Sequence, residues 1–363
     1  MASVAINGKF LGANLNGVHR TAAHYSRELI RRAGAEHTVR LLTPPGATPP
    51  ADFPDLTGEP VAGRFGRGQG WEMLTLPRAA RGALLVNFCN LAPLLHGNSV
   101  VMIHDAQTFL FPEDYTGRQA TFYRLLLPLI ARRARRILTV SGFSRDSLAA
   151  HGVGTLDKID VVHNGTDHIL ANAPDPAILG RHGLAPQNYV LTMGSAKGYK
   201  NMRAVFAAMR DPLPGGQKLV VAGGPGASAY RAAGWEPPEG AIFTGFVSDA
   251  ELRALYEGAG VFVFPSLTEG FGLPPVEAMH CRAPVVSARA GAMPEVLGEA
   301  ALLVAADQPA DYRAAIIEVL ANPDLAERLR HDGGRRAAEL TWEAAGVRLW
   351  SLLRPLARPS HAG

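Results

Sequence analysis

A repeated rhythm constrains this chain more than any other feature. Short runs that are apolar throughout, each closed by a small or polar residue, alternate with longer helical stretches, and the pattern occurs twice. The first half holds "SVAIN" (3–7), "TVRLLTP" (38–44), "LLVNFC" (84–89), "SVVMIHD" (99–105), "RILTVS" (136–141) and "IDVVHNG" (159–165). The second half holds "YVLTMGS" (189–195), "KLVVAGG" (218–224), "AIFTGF" (241–246), "VFVFPS" (261–266), "APVVSA" (283–288) and "ALLVAA" (301–306). A strand with one wet face alternates polar and apolar residues. A strand apolar at every position is buried on both faces, as in a parallel sheet covered by helices. The stretches 19–33 and 118–135 in the first half, and 200–210, 248–258, 274–281 and 310–320 in the second, supply the helices. Strand–helix alternation of this kind predicts an α/β fold.

The chain has 363 residues, more than one core usually serves. Residues 166–188 are rich in proline, aspartate and asparagine and read as a linker between domains. The expectation is two Rossmann-like domains, 1–170 and 185–340, whose parallel sheets face a cleft. Open parallel sheets bind ligands beyond the carboxyl ends of their strands, here in that cleft. Residues 341–363 read as a C-terminal helix that buries Trp342 and Trp350 by packing back toward the N-terminal domain.

Several chemistries are excluded by what the chain lacks. It has two cysteines, Cys89 and Cys281, far apart and in no C-x-x-C pair, which argues against a disulfide framework or a thiolate zinc site. It has no phosphate loop of the G-x-x-x-x-G-K-[ST] type and no complete G-x-G-x-x-G after a strand. It also has no D-x-D, so a metal bridging a diphosphate is not expected. The N-terminus does not read as a signal peptide, and no run of eighteen apolar residues occurs. These features predict a cytoplasmic protein. The net charge of +4 is too mild to imply nucleic acid. The basic stretch "RLLLPLIARRARR" (124–136) has two readings. It suits an anionic membrane surface, or a helix packed on the sheet with solvated arginines.

The stretch "PSLTEGFGLPPVEAMH" (265–280) carries the most chemistry. A strand ends near Ser266, and Pro274-Pro275 mark a helix start, so Glu269 falls in the loop and Glu277 in the first helical turn. Gly270 and Gly272 permit a sharp turn and bring amides close to a ligand. Loop amides and a helix N-terminus suit a diphosphate, and ionised carboxylates suit hydroxyls. The plain alternative is that Glu277 complements the helix dipole while Glu269 is solvated. The glycines and the strand-loop-helix context favour function.

"TEGFGLPPVEAM" resembles the E-x7-E motif of the family-4 retaining glycosyltransferases of the GT-B fold. "NGVHRTAAHYSREL" (16–29), "VMIHD" (101–105), "VSGFSRDSL" (140–148), "VVHNGTD" (161–167), "MGSAKGYKN" (193–201) and "FTGFVSDAELRALYEGA" (243–259) resemble further segments of that family, in family order. The resemblance implies roles. Glu277 would hold ribose hydroxyls, and Glu269 hydroxyls of the donor sugar. Gly270, Phe271, Gly272 and Leu273 would line the sugar and diphosphate through their amides. Lys200 would neutralise the diphosphate, with Ser195 in the same loop. Phe246 and Val247 would offer backbone groups to the base, and Gly17 would let the N-terminal domain close. His104 would lie beside the reacting sugar, with Asp105 and Arg20 as acceptor-side candidates. Ser195 and Tyr199 stand where many members carry an arginine, which leaves Lys197 or loop amides as the second clamp.

The function so implied is transfer of a sugar, mannose in preference, from a GDP- or UDP-linked donor to a hydroxyl of a glycan or lipid-linked acceptor. It would proceed with retention, without a metal or other cofactor, in surface polysaccharide synthesis, peripherally at the inner membrane face. The alternatives are a UDP-sugar-dependent transferase of the same fold, an epimerase or phosphorylase, and a non-catalytic binding protein.

Overall fold

The computed structural model describes residues 3–12, 17–34 and 37–357. The chain divides into two compact units, one formed up to Asn164 and again from Trp342, the other by Gly165–Thr341. Each is an α/β unit built on one wholly parallel sheet.

The first sheet contains β1 (Ser3–Asn7), β2 (Thr38–Thr43), β3 (Glu59–Pro60), β4 (Leu84–Asn87), β5 (Ser99–Met102), β6 (Arg136–Thr139) and β7 (Ile159–Val161). Their spatial order is β3-β2-β1-β4-β5-β6-β7. The chain thus builds outward from β1 in one direction and then from β4 in the other, which puts a topological switch point between those two strands. Val4 pairs with Leu84 and Ile6 with Val86 there. Every residue of β4 and β5 is buried, as their unbroken apolar character predicts. Trp71, Leu42 and Leu85 share one core cluster, and Ile103, Leu127, Ile130 and Ile137 share another.

The second sheet contains β8 (Tyr189–Met193), β9 (Lys218–Ala222), β10 (Ile242–Gly245), β11 (Val261–Phe264), β12 (Val285–Ala288) and β13 (Leu302–Val304). Their order is β10-β9-β8-β11-β12-β13, so the switch point lies between β8 and β11, where Val190 pairs with Val261. Val190, Val221, Val263, Phe206, Tyr230, Tyr312 and Ile316 form the core of this unit.

The chain crosses between units at Asn164–Gly165, and again at Thr341–Trp342. Residues 166–188 are not a free linker. His168 reaches Glu277, and the Asp175 amide donates to the Ala250 carbonyl, so the segment packs into the second unit. The helix Trp342–Ala357 packs on the helix Gly17–Ala33. Trp342 stacks on His24 at 4.3 Å and meets the edge of Tyr25 at 5.3 Å. Gly346 sits where a Cβ would lie 2.5 Å from Glu28 Oε2, so the absence of a side chain sets the closeness of the two helices.

Sequence extents overran the strand ends, because apolar character continues past the last ladder bond. The strand expected over 99–105 ends at Met102, which leaves His104 and Asp105 in the following loop. The helix Gly68–Ala79, interrupted by a π-helical turn over Trp71–Thr75, was not foreseen, since its glycines and proline mask the periodicity. The helix Pro323–Glu339 was likewise missed. Among the described residues no helix is long and apolar enough to cross a membrane.

Candidate active site

In the second unit, the loops after β8 and β11 emerge on either side of the switch point. The β11 loop turns through Gly272, whose φ of 80° lies in the left-handed region open to glycine. A Cβ there would also meet Met293 Cε at 2.3 Å. The helix Leu273–His280 starts next, with proline in its first turn. Glu277 is its fifth residue and lies in the second turn, one turn further in than expected, so a simple dipole-complementing role does not describe it.

Glu277 is buried and held from two sides. Its Oε1 lies 3.2 Å from His168 Nε2, and its Oε2 accepts from the Tyr256 hydroxyl at 3.3 Å. Burial, helped by Glu277, pushes the Tyr256 phenol well up, so it remains a donor. An ionised carboxylate offers about four acceptor sites, so two partners leave capacity for a pair of hydroxyls.

Glu269 pairs with Lys200 at 2.6 Å, with side chains 12% and 26% exposed. Lys200 Nζ also lies 5.4 Å from the Tyr199 ring and 5.6 Å from the Phe264 ring. Lys197 Nζ approaches the same Tyr199 ring at 5.6 Å, so two ammonium groups flank one aromatic. Ser195 lies in this loop and accepts from the Lys197 amide at 3.3 Å. Phe246 follows β10 and is 93% exposed, with Val247 half-buried before the capping box of Ser248 and Glu251.

Two residues that sequence reasoning did not single out hold these loops together. Asn201 adopts φ 54° and donates from Nδ2 to the Pro265 and Ala306 carbonyls at 3.1 and 2.8 Å, which ties the β8 loop to the loops after β11 and β13. Gly291, at φ 57°, lies so close that a Cβ would meet the Glu269 amide nitrogen at 2.6 Å. The Ala292 amide then donates to the Glu269 carbonyl. The "KN" dipeptide and a glycine after β12 were the available signals.

In the first unit, His104 is buried in the loop after β5. Its Nε2 lies 2.8 Å from the Phe88 carbonyl and its amide donates to Asn90 Oδ1, also at 2.8 Å. Burial lowers its pKa from 6.5 to about 4, against a smaller upward effect of the Phe88 carbonyl, so the ring is neutral at pH 7. Asp105 closes an Asx turn by accepting from the Gln107 amide at 3.0 Å. Arg20 forms an exposed pair with Asp52 at 3.2 Å. Gly17 is exposed and is the first residue of its helix. The two free cysteines fit structural roles, and burial pushes the Cys281 thiol up to about 12. Among the described residues, no group of three or more His, Cys, Asp or Glu side chains is placed to hold a metal ion.

The profile described as Glycosyltransferase Family 4 matches residues 15–169, and that for Glycosyl transferases group 1 matches residues 179–336. The chain is 30% identical over 269 residues to O-antigen chain mannosyltransferase B of Escherichia coli, covering 68% of this chain and 67% of that protein. It is 29% identical over 246 residues to O-antigen chain mannosyltransferase RfbU of Salmonella typhimurium, covering 66% and 65%. The matched segments therefore span about two thirds of either relative. Among solved structures, HepE of Anabaena in complex with UDP and glucose superposes with a TM-score of 0.75 at 16% identity, over 98% of this chain and all of that one. Sucrose-phosphate synthase of Thermosynechococcus elongatus gives 0.72 at 19% identity, over 98% and 99%.

Proposed function

The chain belongs to the GT-B glycosyltransferases, and from that premise we propose that it moves a hexosyl group, mannose in preference, from a nucleoside-diphosphate sugar to a glycan hydroxyl in polysaccharide synthesis. The observation that carries this reading is the Lys200–Glu269 pair beside the Gly270–Leu273 loop, at the switch point of the second sheet. It sets a cation, a carboxylate, loop amides and a helix N-terminus within one small region. Lys200 and the helix terminus meet the diphosphate charge, Glu269 takes sugar hydroxyls, and Glu277 takes those of the ribose. Phe246 and Val247 flank the base.

Retention of configuration and independence from metal belong to the same proposal. The acceptor oxygen forms its bond to the anomeric carbon as the bond to the diphosphate breaks, and the acceptor proton passes to a diphosphate oxygen. His104, neutral and buried, positions the sugar and carries no charge. The mannosyltransferase relatives favour mannose as the sugar, with GDP-mannose as the proposed donor, and the UDP held by HepE keeps UDP sugars as the second reading. Melting the protein with GDP, UDP, ADP and dTDP separates these, because a ligand bound only by the folded state raises the melting temperature. Product release from GDP-mannose and UDP-glucose is then followed with and without EDTA. No stabilisation by any nucleotide and no donor consumption would refute the reading.

Membrane contact is the second part of the proposal. On the helix Gly117–Arg133, the exposed residues Arg118, Phe122, Leu125, Leu129 and Arg132 follow at three- and four-residue spacings, with Arg133 beside them. Three apolar side chains flanked by arginines suit an anionic bilayer surface. Arg135 bonds Asn98 and the Leu356 carbonyl, and Arg136 bonds the Asp157 carbonyl, so these two serve the fold. Sedimentation with phosphatidylglycerol vesicles is expected to fall for Leu125→Gln/Leu129→Gln and for Arg132→Glu/Arg133→Glu. Unchanged sedimentation in both would remove this part.

A further inference from the structure

The loop after β8 places two lysines around one tyrosine, in the order Lys197, Tyr199, Lys200. The tyrosine is well fixed. It is 6% exposed and lies in the 3₁₀ turn Gly198–Lys200. Its carbonyl accepts from the Leu267 amide at 2.7 Å, which ties it to the loop after β11. The Lys200 amide donates to the Lys197 carbonyl at 3.1 Å, which closes the turn and brings both lysines to one ring. Ser195 Oγ accepts from the Lys197 amide at 3.3 Å, so the backbone that carries Lys197 is held as well. Lys197 Nζ then lies 5.6 Å and Lys200 Nζ 5.4 Å from the Tyr199 ring centroid. Both fall inside the roughly 6 Å over which a ring face attracts a cation. We propose that Tyr199 is a positioning residue for the donor: its ring holds Lys197 and Lys200 as a pair of cations for the diphosphate.

Charge supports a second cation beside Lys200. Lys200 pairs with Glu269 at 2.6 Å, so these two together are neutral. A nucleoside diphosphate carries more than one negative charge and gains little net attraction from a neutral pair. Lys197 adds an ammonium to the same loop. Two like charges on one ring repel each other, and an anion bridging them removes that repulsion.

The choice of an aromatic partner has its own consequence. A carboxylate beside Lys197 would cancel its charge, whereas a ring attracts the ammonium and leaves the charge available to a ligand. A lysine in open water loses much rotamer freedom when it grips a phosphate, and a ring that already holds the ammonium reduces that loss. The ring of Phe264, the last residue of β11, adds a second aromatic surface 5.6 Å from Lys200 Nζ. Lys200 is thus set by two rings and a carboxylate, and Lys197 shares one of those rings.

The diphosphate as ligand rests on the glycosyltransferase reading; the role of the ring is tested apart from turnover. Isothermal titration of the full chain with GDP and UDP measures diphosphate binding, and saturation-transfer NMR with guanosine and uridine measures the nucleoside alone. Tyr199→Leu is expected to weaken the better-bound diphosphate about five-fold, as loss of a ring–cation contact predicts, and to leave its nucleoside unchanged. Tyr199→Phe keeps the ring and is expected to bind as the wild type does. Lys197→Met is expected to weaken the diphosphate by a similar factor. Combined with Tyr199→Leu it should fall well short of the product of the two effects, because the tyrosine acts in part through that lysine. Equal losses for nucleoside and diphosphate, or a loss in Tyr199→Phe as large as in Tyr199→Leu, would overturn the proposal. Independent effects in the double variant, or wild-type affinity in Tyr199→Leu, would overturn it too. Wild-type protein that binds neither diphosphate sinks this proposal and the proposed function together, whereas diphosphate binding without donor consumption sinks the proposed function alone.

Discussion

Glu277 shows how one residue's role depends on its neighbours. Alone it is a carboxylate on a short helix; between His168 and Tyr256 it is an oriented acceptor. Glu277→Ala is expected to raise the donor KM, and His168→Ala to raise it less while leaving kcat near wild type, since His168 orients Glu277. Glu269→Ala is expected to lower kcat. Steady-state kinetics separates the three, and a kcat loss for His168→Ala equal to that of Glu269→Ala would contradict the division. His104 makes a prediction about pH. Its folded pKa of about 4 lies below its ordinary value of 6.5, so between these values the unfolded chain binds more protons. Stability is therefore full above pH 6.5 and falls as pH drops toward 4, by about 3 kcal/mol at most. Urea unfolding from pH 7 to 4 should show a shallower loss for His104→Asn, and identical slopes would exclude the histidine as the cause.

At the scale of elements, the loops are set by contacts with one another. The β11 loop is clamped by Asn201 from one side and by Gly291 from another. Gly291→Ala would place a methyl 2.6 Å from the Glu269 nitrogen at a positive φ. It is expected to cost about 1–3 kcal/mol and to weaken the donor, because Glu269 must shift to make room. Thermal melting and donor KM check this together; a variant with wild-type values for both would show that the loop is not held there. The basic helix gives a further lesson at this scale. A run of six residues with four arginines reads as one patch, yet the fold leaves Arg132 and Arg133 exposed at the helix end and engages Arg135 and Arg136 in hydrogen bonds.

At the scale of the whole molecule, the C-terminal helix Trp342–Ala357 belongs to the first unit although it follows the second in sequence. Trp342 is buried between His24 and Tyr25. Trp342→Ala should cost about 3–5 kcal/mol, as large buried aromatics do, and lower the melting transition of the first unit. Calorimetry showing wild-type transitions would mean that the helix does not hold that unit together.

The sequence by itself determined the α/β class, the wholly parallel character of both sheets and the loop-then-helix course after β11. These follow from short-range signals: apolar runs buried on both faces, a glycine turn and a proline at a helix start. It could not supply the strand order, because pairing joins segments far apart, and strand order is what sets β1 beside β4 and β8 beside β11. The site depends on those adjacencies. Lys200 and Glu269 are 69 residues apart, and Asn7 and Asn87 are 80 apart, so neither contact leaves a trace in any local window. Local chemistry chose the residues that can carry a site, and long-range packing decided which of them meet.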